Sequence, residues 1–454
     1  MKEAIHLSDH FTYKKIFKFT ISPILMMLIT SIYWIVDGFF ISNFAGSSEF
    51  AGVNLIFPIV MIVACVGFMF GSGGAALVSK KLGELDNEGA NKTFSLITYT
   101  TLTVGIILTF VFVFSVRPIA QLFALINSVE TTEAMINSAT TYGQIMIGGV
   151  SLYIMQVYFH PFFSVNEKSY VGFLFTLVSG LTNMALDALL IPKFGVVGAA
   201  SASLSGMVIS AVGPFIYFRF NKKNLIRLGM PKWNIKDITK SITNGSSEFV
   251  SNISGSVVTT VTNIQLLKYA GENGVSAYGV IAYVCFVFFS LFIGYSSGIA
   301  PVIAYNYGSK NSNELSNVLR KSMIIISITG VLMTVLSASL ARPLSAIFVS
   351  NYPDLLELTT QAMRIYSLCY LFVGFSIFGS AFFTALNNGI ISAIISFCRT
   401  LVFQISFVFL LPLAFGVDGI WISIIAAEFL AIVMVFVFIF IKRKKYGYQF
   451  PRLM

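Results

Sequence analysis

Apolar runs of about 20 residues or more recur along the whole chain, each long enough to cross the hydrocarbon core of a bilayer as a helix. Twelve such runs fall near residues 17–43, 51–79, 93–115, 138–163, 169–191, 196–219, 242–268, 277–305, 322–341, 362–385, 389–412 and 418–441. The polar breaks between them are short. The longest, near 220–241, separates the sixth run from the seventh and is basic. This pattern predicts an all-α polytopic membrane protein. Its expected parts are an N-lobe over residues 1–219, a basic cytosolic linker over 220–241, and a C-lobe with a basic cytosolic tail over 242–454.

Landmarks repeat at a nearly constant spacing. Gly46 and Gly271, Gly83 and Gly308, and the pairs Arg117-Pro118 and Arg342-Pro343 are each 225 positions apart. Further on, Pro192 and Pro412 differ by 220, and Gly198 and Gly419 by 221. Six helices per copy is an even number, so both copies share one orientation and are related by an axis along the membrane normal. Two pseudo-symmetric six-helix lobes with a cleft between them is the architecture expected of a transporter.

Charge fixes the orientation. Only 11% of the 454 residues are charged while 56% are hydrophobic, where a soluble domain carries about 25% charged residues. The net charge of +10 lies in the breaks between apolar runs, which points to topology rather than nucleic acid. With both termini in the cytosol, 23 Lys and Arg fall on the inner side and five on the outer: Arg117, Lys193, Lys268, Arg342 and Arg364. Such a split follows the positive-inside rule and would be scrambled by one helix more or fewer. Lys14, Lys15 and Lys18 precede a run that continues to about residue 44 without a small-x-small cleavage site, so the N-terminus reads as a retained helix rather than a signal peptide.

Little here suggests an enzyme. Cys65, Cys285, Cys369 and Cys398 lie in apolar runs without metal-ligand or redox spacing, and there are three histidines, at 6, 10 and 160. Gly71-Ser72-Gly73-Gly74 lacks the Lys-Ser/Thr of a phosphate loop and reads as a helix-packing stretch.

Carboxylates inside a membrane are costly and face a cavity or a partner. Asp37, Asp187, Glu248 and Glu428 are the candidates. Asp37 lies near the outer end of helix 1 and Asp187 near that of helix 5, at similar depth. Asn183, four residues before Asp187, shares its helical face, and Ser203 reaches the same depth on helix 6. Two carboxylates, an amide and a hydroxyl are expected to converge in the outer half of the N-lobe, an oxygen set suited to a hard cation or, through the paired acids, to a proton. The repeat places Thr262, Gln404 and Val408 at the positions of Asp37, Asn183 and Asp187, so the acids belong to one lobe only. Helix 7 is unusually polar, and Glu248, Asn252, Thr259 and Asn263 are candidates to line the cleft. Glu428 and Arg399 read as a C-lobe pair that fixes packing.

These residues resemble the MATE (multidrug and toxic compound extrusion) family. The segment Val36-Asp37-Gly38-Phe39-Phe40-Ile41 with Ala45-Gly46 is similar to its first-helix signature, and residues 183–203 to its helix 5–6 segment. Gly298-Ile299-Ala300-Pro301 and Tyr305-Asn306-Tyr307-Gly308 resemble its helix 8 exit, and the likeness covers nearly the whole chain. The resemblance implies lobes arranged as a V and influx of Na+ or H+ driving export of organic cations or drugs. It implies an N-lobe cation site of Asp37, Asn183, Asp187 and Ser203, the last a Thr in most of the family. If sodium is the coupling ion, Asp37, Asn183 and Asp187 are its expected ligands, and no other cofactor is implied. The expected setting is a monomer spanning a bacterial inner membrane, contributing to antibiotic resistance.

Rival readings fit less well. A lipid-linked oligosaccharide flippase of the same superfamily needs a strongly cationic cavity, whereas few Lys or Arg lie within these helices. The major facilitator class carries a basic loop after helix 2, where this chain has Gly83-Glu84-Leu85-Asp86-Asn87-Glu88.

Overall fold

The computed structural model of the protein describes residues 5–126 and 132–449; Lys2 and Arg452, counted above among the inner charges, lie outside them. Helix α1 (Tyr13–Phe40) starts at Thr12, whose side chain accepts the Lys15 N–H, and it continues into a π-helical turn over Ile41–Ala45. Next come α2 (Ser47–Gly83), α3 (Asn87–Val113), α4 (Val116–Ile126), α5 (Glu133–Gly148) and α6 (Val150–Val165). The long α7 (Ser169–Phe220) closes the first half and the longer α8 (Ile235–Gly308) opens the second. They are followed by α9 (Ser312–Ser339), α10 (Ala341–Val349), α11 (Pro353–Ser367), α12 (Tyr370–Ala385) and α13 (Gly389–Phe397). A second π-helical stretch, Cys398–Phe403, leads to α14 (Gln404–Leu410), α15 (Pro412–Phe415) and α16 (Val417–Tyr446).

Among the described residues eight helical stretches are each long and apolar enough to cross a membrane, and the pairs α5–α6 and α11–α12, bent by 56° and 52°, make up to two more. Two of the eight carry two spans each. At 1.5 Å per residue a straight α7 would be about 78 Å long. Instead Gly195 breaks it (φ 53°, ψ −131°), and the Ser179 hydroxyl reaches the Gly206 carbonyl at 2.7 Å. Gly271 breaks α8 in the same way (φ 62°, ψ −157°). Twelve spans result, as the hydropathy pattern predicts.

The repeat is written into the turns. Among the described residues, apart from Gly447, those with positive φ are Gly46, Leu85, Glu167, Gly195, Gly271, Lys310, Asn387 and Gly416. They form four mated pairs: Gly46 with Gly271 and Leu85 with Lys310 at 225, Glu167 with Asn387 at 220, and Gly195 with Gly416 at 221. At the four non-glycine turns the next residue donates its N–H five positions back: Asp86 to Lys81, Lys168 to Phe163, Asn311 to Asn306 and Asn388 to Phe383. That bond closes a Schellman cap and satisfies a terminal carbonyl of the preceding helix.

The lobes meet near the face that bears the basic loops. A Cβ on Gly73 of α2 would collide with Ser241 of α8, and one on Gly298 of α8 would press on Pro23 of α1. Gly73 and Gly298 are again 225 apart, so α2 packs on the first half of α8 as its second half packs on α1. Between lobes, Lys81 pairs with Asp237 at 2.7 Å, and the Asn387 amide donates to the Ala76 carbonyl at 3.3 Å. The stretch between α7 and α8 lies against the first lobe: Ile226 and Leu228 are buried, and Asn166 accepts the Leu225 N–H at 2.8 Å.

Candidate functional site

Among the described residues two candidate sites lie inside the helical bundle. The first is in the first lobe. Asp37 on α1 is 3% exposed, and Asp187, Asn183 and Ser203 on α7 are at or below 2%. The reversal at Gly195 brings the two halves of α7 side by side, so that the Asn183 amide donates to Ser203 Oγ at 3.3 Å and to Asp187 Oδ1 at 3.5 Å. The charged group that acts on Asp37 is Asp187. Among the described residues the ion pairs, all elsewhere, include neither acid. Asp37 Oδ1, Asp187 Oδ2 and Asn183 Oδ1 are buried without a hydrogen-bond partner.

Two buried carboxylates within reach of each other's charge cannot both stay charged without compensation. Three orphaned oxygens in one pocket fit a small hard cation, with the Ser203 hydroxyl as a fourth donor, and a proton shared by the acids would relieve the same repulsion. Among the described residues no group of three or more His, Cys, Asp or Glu is placed to hold a metal ion.

Sequence reading did not pick out the aromatic and amide shell of this pocket. Tyr33 and Tyr142 are buried with unpartnered hydroxyls, as is the Gln156 side-chain oxygen, and Tyr142 lies within electrostatic reach of both acids. Tyr33 stands four residues before Asp37 on one helical face, a spacing that could have flagged it. Trp34 packs between Tyr33 and Phe57, with ring centroids 5.0 and 4.9 Å away.

The second site is a cavity of about 350 Å3 between the lobes. Met27, Thr30 and Trp34 of α1, Met61 of α2 and Tyr153 and His160 of α6 line it from one lobe. From the other come Glu248, Asn252, Phe286 and Phe289 of α8, together with Arg399 and Thr400 of the second π-helical stretch. Thr259 and Asn263, nearer the reversal at Gly271, are not part of its wall. Arg399 Nε donates to Glu428 Oε1 at 2.7 Å, and the Ser376 hydroxyl holds the other Glu428 oxygen. Neither Asp37 nor Asp187 lines the cavity. Helix α1 joins the two sites: its Trp34 faces the cavity, and its Asp37, three residues on, faces the acid pocket.

A twelve-span membrane protein of two repeated lobes, with a cavity between them and a separate buried acid pair in one, is built as a transporter. The chain belongs to the MatE family, whose profile matches residues 23–189 and 249–410. It is 25% identical over 449 residues to "Multidrug export protein MepA" of Staphylococcus haemolyticus, covering 96% of each chain. A counterpart of the same name from Staphylococcus aureus is 23% identical over 423 residues, covering 92% of this chain and 91% of that one. Among solved structures, "Crystal structure of MATE in complex with MaL6" superposes with a TM-score of 0.91 at 20% identity, covering 98% of this chain and 100% of that one.

Proposed function

We propose that this protein is a secondary active exporter of organic cations and drugs, driven by inward movement of H+ or Na+ and working by alternating access. It sits as a multi-pass protein in a bacterial plasma membrane with its basic face and both termini in the cytosol. The carrying observation is the Asp37–Asp187 pair, buried in one lobe with orphaned oxygens on both acids and on Asn183, and with no basic partner among the described residues. The relatives that share nearly the full length of the chain are named as multidrug exporters.

A cation or proton entering the acid pocket neutralises the pair and changes how α1 is best packed. Pro23 lies within α1, and the carbonyl it leaves unpaired gives that helix a place to bend. Because α1 also lines the cavity, ion and drug bias the same element. Differential affinity of each for the two conformations then supplies the coupling. The cavity wall suits flat apolar cations: Trp34 and Tyr153 offer ring faces and Glu248 a carboxylate. Its single Arg is tied to Glu428, which weighs against a diphosphate-bearing lipid as the cargo.

The test is uptake of a fluorescent cationic dye into proteoliposomes, driven in turn by a pH gradient and a sodium gradient. One of the two should drive transport. Asp37→Asn and Asp187→Asn should each lower the gradient-driven rate about tenfold or more, within the usual range of site-to-site coupling. Full gradient-driven transport by the double variant would overturn the assigned site.

A further inference from the structure

The residues ahead of α1 make two contacts of identical form, one to each lobe. Glu167 lies in the turn between α6 and α7. Its Oε1 accepts the Leu7 N–H at 2.7 Å, while its Oε2 lies 2.7 Å from His6 Nδ1. Four residues along the segment, Glu314 in the first turn of α9 repeats the arrangement. Its Oε1 accepts the Phe11 N–H at 2.8 Å and its Oε2 lies 2.7 Å from His10 Nδ1.

Each carboxylate thus grips a histidine ring and the next backbone N–H, and the side chains of Leu7 and Phe11 are buried beside them at 1% and 0% exposure. The Phe11 carbonyl accepts from Lys321 at 2.7 Å and from the Asn317 amide at 3.0 Å, both on α9. The segment is covalently continuous with α1 of the first lobe, so the Glu314 clasp is a bond between lobes, and the Glu167 clasp anchors its near end.

Glu167 adds a second observation. It holds φ 58°, a conformation that costs a side chain like Glu about 1–2 kcal/mol. Its repeat mate is Asn387, a residue type that tolerates this region, and Asn387 uses its side chain to hold Asn244 at 2.7 Å. A glutamate kept at the strained turn of the first lobe is accounted for by its grip on the segment.

We propose that residues 5–12 are a latch that bolts the two lobes together on the basic face, with His6 as its protonatable pin, so that acid on that side seats the segment and holds the face closed. The charged groups around His6 are Glu167, Asp9 and Lys15, with Lys168 beside Glu167.

The hydrogen bond and charge of Glu167 raise the His6 pKa above its ordinary value. A group whose pKa is higher in the clasped state contributes fully below its ordinary value near 6.5. That contribution is lost as pH rises through the raised value. Acidification of the basic face therefore closes the latch and alkalinisation frees it. If that face is cytosolic, as proposed above, an exporter driven by entering protons would slow its own cycle as the cytosol acidifies.

Conformation tests the latch apart from transport. Spin labels at Lys222→Cys and Arg320→Cys, in a variant without its native cysteines, report the separation of the lobes at the basic face by double electron–electron resonance in lipid nanodiscs. No drug or ion gradient is present, and the background carries Asp37→Asn and Asp187→Asn so that those acids do not titrate. The ratio of the short-distance to the long-distance population should fall about fivefold or more between pH 6 and pH 8. His6→Gln should abolish the pH dependence. Glu314→Gln, which keeps an acceptor for the Phe11 N–H, should weaken closure at both pH values. A pH-independent ratio in the unsubstituted latch, opening at acid pH, or a response that survives removal of His6 would overturn the proposal. None of those results would bear on the acid-pair site, whose failure is read by dye transport.

Discussion

Gly83 and Gly308, mates in the internal repeat, each lie against the backbone of the other's helix. The space where Gly83 lacks a side chain is filled by the Tyr305 carbonyl, and the matching space at Gly308 by that of Lys80. Tyr305 and Lys80 are themselves 225 positions apart. At these two glycines the contact between α2 and α8 is therefore symmetric about the axis that relates the lobes, and each glycine meets main chain. A β-branched side chain at either glycine would push the helices apart, at an overpacking cost of about 1–3 kcal/mol. We expect Gly83→Val and Gly308→Val each to favour the state open at the basic face. Cysteine accessibility at Ser72, on the cavity wall, should rise in both variants and dye export should fall.

Gly195 and Gly416 make the corresponding reversals of the two lobes, with φ/ψ of 53°/−131° and 59°/−137°. That region is essentially closed to residues with a Cβ, and strain of this kind costs about 1–3 kcal/mol. Gly195→Ala and Gly416→Ala should each lower the thermal midpoint in detergent, Gly195→Ala by more, because a Cβ there also collides with the Glu49 carboxylate that holds the Val196 N–H, while the space at Gly416 is open. Gly255 lies inside α8 with open space around its α-carbon, so Gly255→Ala should be neutral or stabilising by up to about 1 kcal/mol.

Glu248 lines the cavity, and Arg399, the charged group that acts on it, is paired to Glu428 instead. The carboxylate is thus free to attract a cationic cargo in a space of low dielectric. Glu248→Gln should raise the Kd of a cationic dye about tenfold, a loss of about 1.4 kcal/mol, and leave a neutral drug nearly unaffected. Fluorescence titration of the purified protein with both ligands checks this.

Hydropathy and charge made the span count and the basic face legible, because bilayer thickness and membrane insertion act on composition alone. Helix geometry led to the expectation that Asp37 and Asp187 share a depth, and both acids are buried. The short helices α4 and α10 were not foreseen. They begin at Val116 and Ala341, just ahead of Arg117-Pro118 and Arg342-Pro343, and at 11 and 9 residues they are too short to give a spanning signal. The π-helical stretches at Ile41–Ala45 and Cys398–Phe403 leave no mark in hydropathy, since they re-pair backbone without changing composition. Thr259 and Asn263 are polar in sequence like Glu248 and Asn252, yet only the latter two reach the cavity wall. Where along a polar helix the lobes separate depends on packing between lobes, which periodicity within one helix does not encode.

The second π-helical stretch also sets the energetics of the Arg399–Glu428 pair. Arg399 and Glu428 side chains are 14% and 4% exposed, and Glu428 is held at one oxygen by the guanidinium and at the other by the Ser376 hydroxyl. Removing one partner of a buried pair strands the other charge, which costs about 3–5 kcal/mol. Arg399→Met should therefore destabilise the protein strongly. Replacing both by apolar side chains removes the stranded charge together with the attraction, so Arg399→Met/Glu428→Met should recover most of the loss. Equilibrium unfolding of the single and double variants in mixed micelles reads the cycle. If the double variant is as unstable as the sum of its parts, the pair does not act as a unit, and Ser376 rather than Arg399 is what makes a buried Glu428 tolerable.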